Sequence, residues 1–504
     1  MDLILNNIHG VFQGFAVALQ PEHLFFIFTG CFLGTLVGVL PGIGPVGAIS
    51  IVLPITFQMS PTAAVIMLAG IYYGVMYGGS TTSILLNVPG EAASVVTCLD
   101  GYQMARQGRA GPALSMAAVG SFLAGTLGLV GLQLIAAPLA DVALKFGPPE
   151  YFAIILVGFI FIVRLTGGPV IKSAMMACLG LILSQVGLDP VTSEQRMTFG
   201  LLHLFEGIGI APLAMGLFGV AEVFANLEAH QHMETLRVRI RTLIPSRRDW
   251  LRARWAMLRG TMVGFFMGIL PGGGPVLSTF IAYGLEKRIA KNPNRFGKGA
   301  IEGVAAPEAA NNAAASTSFI PLMTLGIPPN VVLAILFGAF LIHGVTPGPL
   351  LLRQNPDMFW GIIGSMYIGN VILLVLNLPL IPLWVQVLKI PKKVLYPLIL
   401  LFCVIGAYSV NNSVFDIYVM IFFGLFGCLL RKYGYEGAPL VLAFVLGPLF
   451  EVNLRRSLLM SGGSFTIFFT RPIALAILIA AFALLMIPAC QAYRKHFPRR
   501  GRPS

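Results

Sequence analysis

Two clusters of hydroxyl and amide side chains interrupt apolar stretches of the chain. The first cluster comprises Ser80, Thr81, Thr82, Ser83 and Asn87, and the second comprises Asn311, Asn312, Ser316 and Thr317. Any single hydroxyl of this kind fits an ordinary bond to a carbonyl group one helical turn back. Two such clusters in matching places instead predict a binding site, because polar groups within a membrane are costly unless they have a partner or a function. Their oxygens suit Na⁺, which we expect near Ser80, Thr82, Asn311, Asn312 and Ser316.

A motif rich in glycine and proline occurs once in each half of the chain, before each polar cluster. The copies are Gly34–Pro45 and Gly264–Pro275, and in both a Leu-Pro-Gly-x-Gly-Pro sequence follows glycines spaced four residues apart. Glycines with this spacing form a flat helix face for close backbone packing. Proline then interrupts the helix, because it lacks a backbone donor and clashes with the preceding turn. Each motif therefore predicts a helix that breaks within the membrane.

The two breaks carry the remaining predicted site residues. Irregular backbone at membrane depth persists only where protein or water satisfies its polar groups, and paired breaks in two halves point to a transporter binding site. The free N–H groups at a helix start attract an anion. We call the Pro-Gly-x-Gly-Pro stretch at each break a tip. We expect the two tips to bind substrate and ion through Gly42, Gly44, Gly272, Gly273 and Gly274. Glu308 is the carboxylate beside the second cluster, and its position fits either a cation or proton site or a loop that faces water.

The composition is that of a protein that crosses a membrane many times. Of the 504 residues, 57% are hydrophobic and only 11% are charged, whereas soluble domains carry about 25% charged residues. The net charge of +13 does not indicate nucleic-acid binding, because the basic residues lie in short clusters between apolar segments, as in cytoplasmic loops. The sequence has no P-loop and no His-Glu-x-x-His zinc motif. We predict an all-α polytopic membrane protein that is not an enzyme and uses no cofactor except a coupling ion, Na⁺ or H⁺.

The repeated motif divides the chain into two homologous halves. We predict a first membrane repeat over 1–230, a basic cytoplasmic linker over 231–259, a second membrane repeat over 260–490 and a basic C-terminal tail over 491–504. The segment 331–352 fits either a spanning helix that matches 112–140 or a shorter segment that does not cross.

The charges beside the two motifs predict how each broken helix enters the membrane. The second unit, 260–285, has basic loops on both sides, so both of its ends are predicted to be cytoplasmic and the unit to be a re-entrant hairpin. The flanks of the first unit, 24–57, contain few basic residues and are predicted to lie on the opposite side. The two halves would then form an inverted repeat, although a parallel repeat stays open on this charge argument alone.

These motifs resemble those of the large membrane subunit of tripartite tricarboxylate transporters, the TctA type. The resemblance covers nearly the whole chain and is most specific at Gly34–Pro45, Tyr72–Ser94, Asp100–Pro112 and Gly299–Pro328. It implies a carboxylate importer in the bacterial inner membrane, driven by a Na⁺ or H⁺ gradient. It also implies two partners, a small membrane subunit and a periplasmic solute-binding protein that delivers the organic carboxylate.

Two other classes of function can be compared with this interpretation. An ion channel with paired re-entrant loops is the alternative, and saturable, gradient-driven uptake of an organic acid would separate it from a transporter. A membrane-embedded enzyme is disfavoured, because the sequence contains no recognisable nucleophile and base or metal-ligand constellation.

Overall fold

The structure is a computed structural model that describes residues 2–40, 43–165, 169–228, 243–387 and 392–483. Its helices are α1 (Asp2–Ala18), α2 (Pro21–Val39), α3 (Gly44–Val52), α4 (Pro61–Leu86), α5 (Val95–Arg106), α6 (Ala110–Ala143), α7 (Pro148–Leu165), α8 (Val170–Leu183), α9 (Ile210–Ala214), α10 (Ala221–Glu228), α11 (Arg247–Ile269), α12 (Gly274–Ile289), α13 (Glu302–Thr317), α14 (Phe319–Leu325), α15 (Val331–Ile342), α16 (Leu351–Gln354), α17 (Pro356–Asn377), α18 (Ile381–Val387), α19 (Lys392–Asn411), α20 (Val414–Lys432), α21 (Ala438–Met460), α22 (Ile467–Thr470) and α23 (Pro472–Ala483).

The predicted all-α membrane class is confirmed. Within the described ranges the strands are confined to β1 (Gly187–Leu188) and β2 (Gln195–Arg196), which pair antiparallel. Among the described residues, six helices are long and apolar enough to cross a membrane, namely α2, α4, α6, α17, α20 and α21. Helix α15 has only 12 residues, fewer than the roughly 20 that a crossing needs. The helical part of the segment 331–352 is therefore too short to span the membrane.

Both predicted helix breaks are present. Helix α2 ends at Val39, Leu40 is extended, and α3 begins at Gly44 with φ +65°. Helix α11 ends at Ile269, and α12 begins at Gly274 with φ +52°. Glycine suits these positions because a side chain disfavours a positive φ, and the proline that follows each one fits the first turn of a helix. The prediction for Gly42 concerns a residue outside the described ranges.

The glycines before the first break pack α2 closely against α4. A Cβ atom added to Gly34 or Gly38 would overlap the main-chain carbonyl oxygen of Ile71 or Val75, respectively. Only glycine therefore permits this approach of the two backbones. Residue numbers rise together along the two helices at these contacts, so α2 and α4 run in the same direction.

The second half repeats this packing between α11 and α13. A Cβ atom on Gly260 or Gly264 would overlap the main-chain carbonyl oxygen of Ala306 or Ala310, respectively. The contact numbers again rise together, so α11 and α13 also run in the same direction. Each half therefore has the same order of elements. A first helix (α2 or α11) ends at the break, a segment that contains α3 or α12 follows, and the next long helix (α4 or α13) runs parallel to the first.

The central helices α4 and α13 pack against each other and carry the two polar clusters. Both are buried along nearly their whole length. The Ser80 hydroxyl of α4 donates to the Glu308 carboxylate of α13, and the ring of Tyr72 lies 6.2 Å from that of Phe319, which begins α14 directly after α13. The later residue of α4 thus contacts the earlier residue of the α13–α14 segment, so α4 and α13 run in opposite directions.

Local signals in the sequence set the ends of these helices. The Ser60 hydroxyl accepts a hydrogen bond from the Ala63 N–H and caps α4, which Pro61 begins. The Ser246 hydroxyl and the Asp249 carboxylate form a capping box at the start of α11, an arrangement that satisfies free N–H groups. Helix α11 consequently includes residues 247–259 of the predicted linker, whereas 229–242 and the tail from 484 onward lie outside the described ranges.

Candidate functional site

The hydroxyl groups of the first cluster lie on the continuous helix α4, not at a break. Thr82 and Ser83 donate to the carbonyl oxygen of Gly79 at 2.9 and 3.0 Å, the ordinary bond back along a helix. Ser80 differs, because its hydroxyl reaches across to Glu308 Oε2 at 2.6 Å. The whole group Ser80–Ser83 is buried. Of the four hydroxyls, Ser80 is thus the one seen to connect the two central helices.

Asn87 has a different role from the rest of the first cluster. It is exposed and adopts φ 56°, a left-handed conformation, at the residue that ends α4. Asparagine tolerates this conformation better than most residues. The position of Asn87 at the end of α4 therefore accounts for this residue type. Asn87 makes no polar contact with the buried cluster.

Glu308 lies within the buried core and not in a loop facing water. Its side chain is 1% exposed and accepts hydrogen bonds from the hydroxyls of Ser80 and Thr97. Thr97 lies on α5, so the carboxylate joins α13 to two elements of the first half. The alternative of a solvated loop position for Glu308 is wrong, because residues of both halves enclose it.

A second carboxylate, Glu91, was not among the predicted site residues. It follows the Pro-Gly pair after α4 and is 6% exposed. Its carboxylate accepts from the Ala93 N–H and, at 3.4 Å, from Asn311 Nδ2. A Cβ atom added to Gly79 would lie 2.9 Å from Glu91 Cγ, so this side chain packs on α4 beside Ser80. Its burial against the central helices is a feature that the sequence motifs did not predict.

The amides of α13 lie around these carboxylates. Asn311 is fully buried, and its Oδ1 atom has no hydrogen-bond partner. Asn312 Nδ2 donates to the Ser121 hydroxyl at 2.7 Å and to the Glu308 carbonyl oxygen at 3.2 Å. Residues Ser80, Glu91, Thr97, Glu308 and Asn311 form one buried polar group, which we call the carboxylate cluster.

Ser316 and Thr317 lie further along α13, away from the carboxylate cluster. Thr317 donates to Ala313 O at 2.9 Å and to Phe265 O at 3.2 Å, which joins α13 to α11. Ser316 lines a narrow cavity, which has room for about one water molecule; the other polar residues that line it are Tyr73, Tyr77, Asn312 and Asn370. The Tyr73 hydroxyl is buried without a hydrogen-bond partner.

The two tips have different surroundings. At Gly44 an added Cβ atom would meet no atom of the described residues within 4 Å, so there is room beside this Cα atom. At the second tip, the Gly272 N–H donates to Pro329 O at 2.8 Å. An atom added to Gly273 would overlap the Met267 carbonyl oxygen, and one added to Gly274 would lie 3.6 Å from Asn330 Cβ. The second tip is therefore held by neighbouring backbone, which explains three successive glycines.

The second tip lies at a polar group distinct from the carboxylate cluster. Asn330 Nδ2 donates to the Tyr72 hydroxyl at 3.3 Å, close to the start of α12. The carboxylate cluster lies about Ser80 and Glu91, beyond the other end of the tyrosine stretch of α4. The predicted residues are thus spread between two polar groups with the narrow cavity between them, instead of forming one site.

Ion pairs are found near the ends of the helices rather than in the carboxylate cluster. Arg109 pairs with Asp249 at 2.6 Å, Arg259 with Glu286 at 2.6 Å and Arg295 with Glu302 at 3.3 Å. Within the described ranges, neither Glu91 nor Glu308 forms an ion pair, and no group of three or more His, Cys, Asp and Glu side chains is placed to hold a metal. The proposed Na⁺ site at Ser80 and its neighbours stays a prediction.

A separate charged network joins the β-hairpin to α21. Asp189 and Glu451 both pair with Arg196 and with Arg455. Burial alone raises the pKa of Asp189, but hydrogen bonds from the N–H of Thr192 and from Arg455 outweigh this effect and hold its pKa well below its ordinary value. Asp189 and Arg196 lie in the segment between α8 and α9, outside the candidate membrane spans, and Glu451 and Arg455 lie in the C-terminal half of α21.

Comparison with known proteins decides the family. Residues 24–442 match the family described as "Tripartite tricarboxylate transporter TctA family". The chain belongs to the TctA family. It is 51% identical over 494 residues to the "Uncharacterized 52.8 kDa protein in TAR-I ttuC' 3'region" of Agrobacterium vitis, a match that covers 98% of each chain. It is also 53% identical to the "Uncharacterized protein in TAR-II ttuC' 3'region" of the same organism, over 46% of this chain and 97% of that one. No solved structure matches.

The TctA match includes every element that builds the site. It begins within α2 and ends within α21, and so contains both breaks and both central helices. The resemblance inferred from the motifs is thereby confirmed. Membership of this family makes the chain a tricarboxylate transporter component.

Proposed function

We propose that this chain is the permease subunit of a secondary transporter that imports a tricarboxylate or related organic carboxylate across the bacterial inner membrane. A Na⁺ or H⁺ gradient drives the import in this proposal. The observation that carries it is the pair of matched helix breaks next to two buried polar groups, in a chain of the TctA family. Paired breaks of this kind point to the binding site of secondary transporters.

We further infer that each broken unit is a re-entrant hairpin and that the halves form an inverted repeat. The support is the direction of the helices. Because α4 runs parallel to α2, the segment between them returns the chain to the side from which α2 entered, and α12 does the same between α11 and α13. The two central helices run in opposite directions, as an inverted repeat requires.

In this proposal the anionic substrate binds between the two tips. There is room beside the Cα atom of Gly44 at the start of α3, and free N–H groups at a helix start attract anions. The narrow cavity beside Ser316 and Asn312 lies between the polar groups, and we expect it to widen when substrate binds. Substrate contacts then come from Gly42, Gly44, Gly272, Gly273 and Gly274, together with hydroxyls and amides of both central helices.

The partners in the proposal follow from the family. A tripartite transporter has three components, and we assign to the other two the roles of small membrane subunit and periplasmic solute-binding protein. The large exposed apolar side chains on the outer helices, such as Phe422 and Leu425 of α20, leave surface for lipid or for the small subunit.

The proposal is tested by reconstituting the chain with its small subunit in lipid vesicles. Uptake of radiolabelled di- and tricarboxylates is measured with and without the cognate binding protein, under an imposed Na⁺ gradient, an imposed pH gradient or neither. We expect saturable uptake that requires the binding protein and one of the gradients. Uptake that does not saturate and ignores both gradients would support the channel and contradict the transporter.

A further inference from the structure

We propose that Glu91 and Glu308, together with Asn311, bind one monovalent cation, either Na⁺ or a shared proton. This inference rests on the proposed function, because it assigns the coupling-ion site of that transporter. It also changes the expected ligands, since Glu91 replaces most of the hydroxyls predicted from the sequence.

The first argument is geometric. Glu91 packs on Gly79 and meets the amide of Asn311, while Glu308 meets the hydroxyl of Ser80, the next residue of α4. Asn311 lies three residues after Glu308, and therefore on the same face of α13. The two carboxylates thus approach one small volume from opposite halves of the molecule.

The second argument is electrostatic. Both carboxylates are almost fully buried, and among the described residues neither has a Lys, Arg or His partner. Glu308 accepts two hydroxyl bonds and Glu91 accepts one backbone and one amide bond, which stabilise an anion only in part. Two carboxylates that share a buried site cannot both stay ionised without a compensating positive charge. A bound cation or a shared proton supplies that charge.

The third argument is an unused oxygen. The Oδ1 atom of Asn311 is completely buried and has no hydrogen-bond partner, a costly arrangement for an acceptor that stays empty. A cation or a protonated carboxyl group beside it would give this oxygen a partner. Carboxylate, amide and hydroxyl oxygens are hard ligands, which favour Na⁺ and H⁺ over transition metals.

Other titratable groups near the site do not supply the missing charge. Tyr72 and Tyr77 of α4 and Cys98 of α5 are the titratable side chains of these two helices near the carboxylates, and tyrosine and cysteine carry no positive charge in either protonation state. Asp100 of α5 is directed elsewhere, because it accepts bonds from the N–H groups of Gly299 and Ala300 at 2.7 Å. The packed elements therefore add no positive side chain to Glu91 and Glu308.

The test measures cation binding without requiring transport. The thermal unfolding midpoint of the purified full-length chain is followed during titration with NaCl, with choline chloride as the ionic-strength control. A second series lowers the pH in choline chloride from about 9 to about 5.5, because burial raises the pH at which a carboxyl group binds its proton. A saturable rise with NaCl identifies Na⁺, and a rise with acid alone identifies the proton, since a ligand that binds only the folded chain stabilises it.

Three variants locate the site. Glu91→Gln and Glu308→Gln remove one charge each with little change in shape, and we expect either to raise the half-maximal cation concentration about tenfold or more, as for loss of a charged partner. Glu302→Gln is the control, because Glu302 lies on the same helix but pairs with Arg295. It should respond as the wild type does.

The outcomes separate this inference from the proposed function. No stabilisation of the wild type by either cation, or a full response in Glu308→Gln, overturns the inference. Gradient-driven uptake with intact ion dependence in both glutamine variants would reject the site but keep the transporter. Cation binding lost in those variants without any carboxylate uptake would keep the site and reject the transporter.

Discussion

Replacing Gly264 by alanine tests the contact between the second broken unit and α13. The added Cβ atom would overlap the Ala310 carbonyl oxygen and lie 2.9 Å from the Ala310 Cα and carbonyl carbon. Carbon atoms normally approach to about 3.5–4.0 Å, so the two helices have to separate by roughly 0.6 Å or more. Both contacting groups are backbone, and no side-chain rotation can relieve the overlap.

The magnitude follows from two opposing effects. Overpacking of a close interface costs about 1–3 kcal/mol, whereas alanine in a helix interior is favoured over glycine by about 1 kcal/mol. Gly284 provides the matched control, because it lies in α12 and an added Cβ atom there would meet nothing within 4 Å. Since the propensity gain is common to both variants, their difference in stability isolates the packing cost of about 1–3 kcal/mol.

The assay is unfolding of the purified variants in mixed detergent micelles, followed by circular dichroism. We expect Gly264→Ala to unfold at a lower denaturant concentration than Gly284→Ala, and Gly34→Ala to behave like Gly264→Ala, because its Cβ atom would lie 2.8 Å from Ile71 Cα. Equal midpoints for Gly264→Ala and Gly284→Ala would show that α11 and α13 do not pack in direct backbone contact.

Four further predictions concern the second tip, the amides, topology and pH. Gly273→Val should abolish uptake without loss of the protein from the membrane, since a side chain there overlaps the Met267 carbonyl oxygen; normal uptake would place the tip away from the site. Asn312→Ala removes one amide oxygen from the predicted Na⁺ site, and loss of such a partner costs about 1–3 kcal/mol, so the ion concentration for half-maximal uptake should rise roughly five- to hundredfold; unchanged ion dependence would exclude Asn312 from the ion site. Cysteines placed at Arg248 and Lys291 should react with an impermeant thiol reagent from the same side of the membrane, and labelling from opposite sides would contradict the re-entrant hairpin. Because the pKa of Asp189 is lowered in the folded chain, its stabilisation should be complete above about pH 4 and be lost as the pH falls further; Asp189→Asn should flatten this acid dependence of the thermal midpoint.

The helix breaks and the glycine faces could be predicted from the sequence because both are local. Proline and positive-φ glycine act on their own backbone, so Leu40 and Gly274 end and begin helices whatever surrounds them. Glycines spaced four apart lie on one helix face by geometry alone. The helix against which they pack was not predictable in this way, but the repeated spacing correctly indicated a close backbone contact in each half.

The carboxylate cluster was only partly predictable, because tertiary contacts build it. Glu91 lies in the loop after α4, and nothing near it in sequence shows that the loop folds back onto α13. Thr97 is likewise one hydroxyl in an ordinary helix until Glu308 is placed beside it. Conversely, Thr82 and Ser83 looked like ligands by type, yet both use their hydroxyls within α4, a choice that composition does not reveal.

Helix α13 connects these observations, because its faces have different tasks. Ala306, Ala310 and Ala314 form one face, and their carbonyl oxygens lie against the glycines of α11. Glu308 and Asn311 lie off this face, directed at residues of the first half. A glycine interface without side-chain freedom resists sliding, so we expect α11 and α13 to move as one body. The polar face instead depends on hydrogen bonds to the other half, which a cation can strengthen or release. Binding of a cation at Glu308 would then change how firmly the two halves are held together, which is the requirement for coupling an ion to a conformational change.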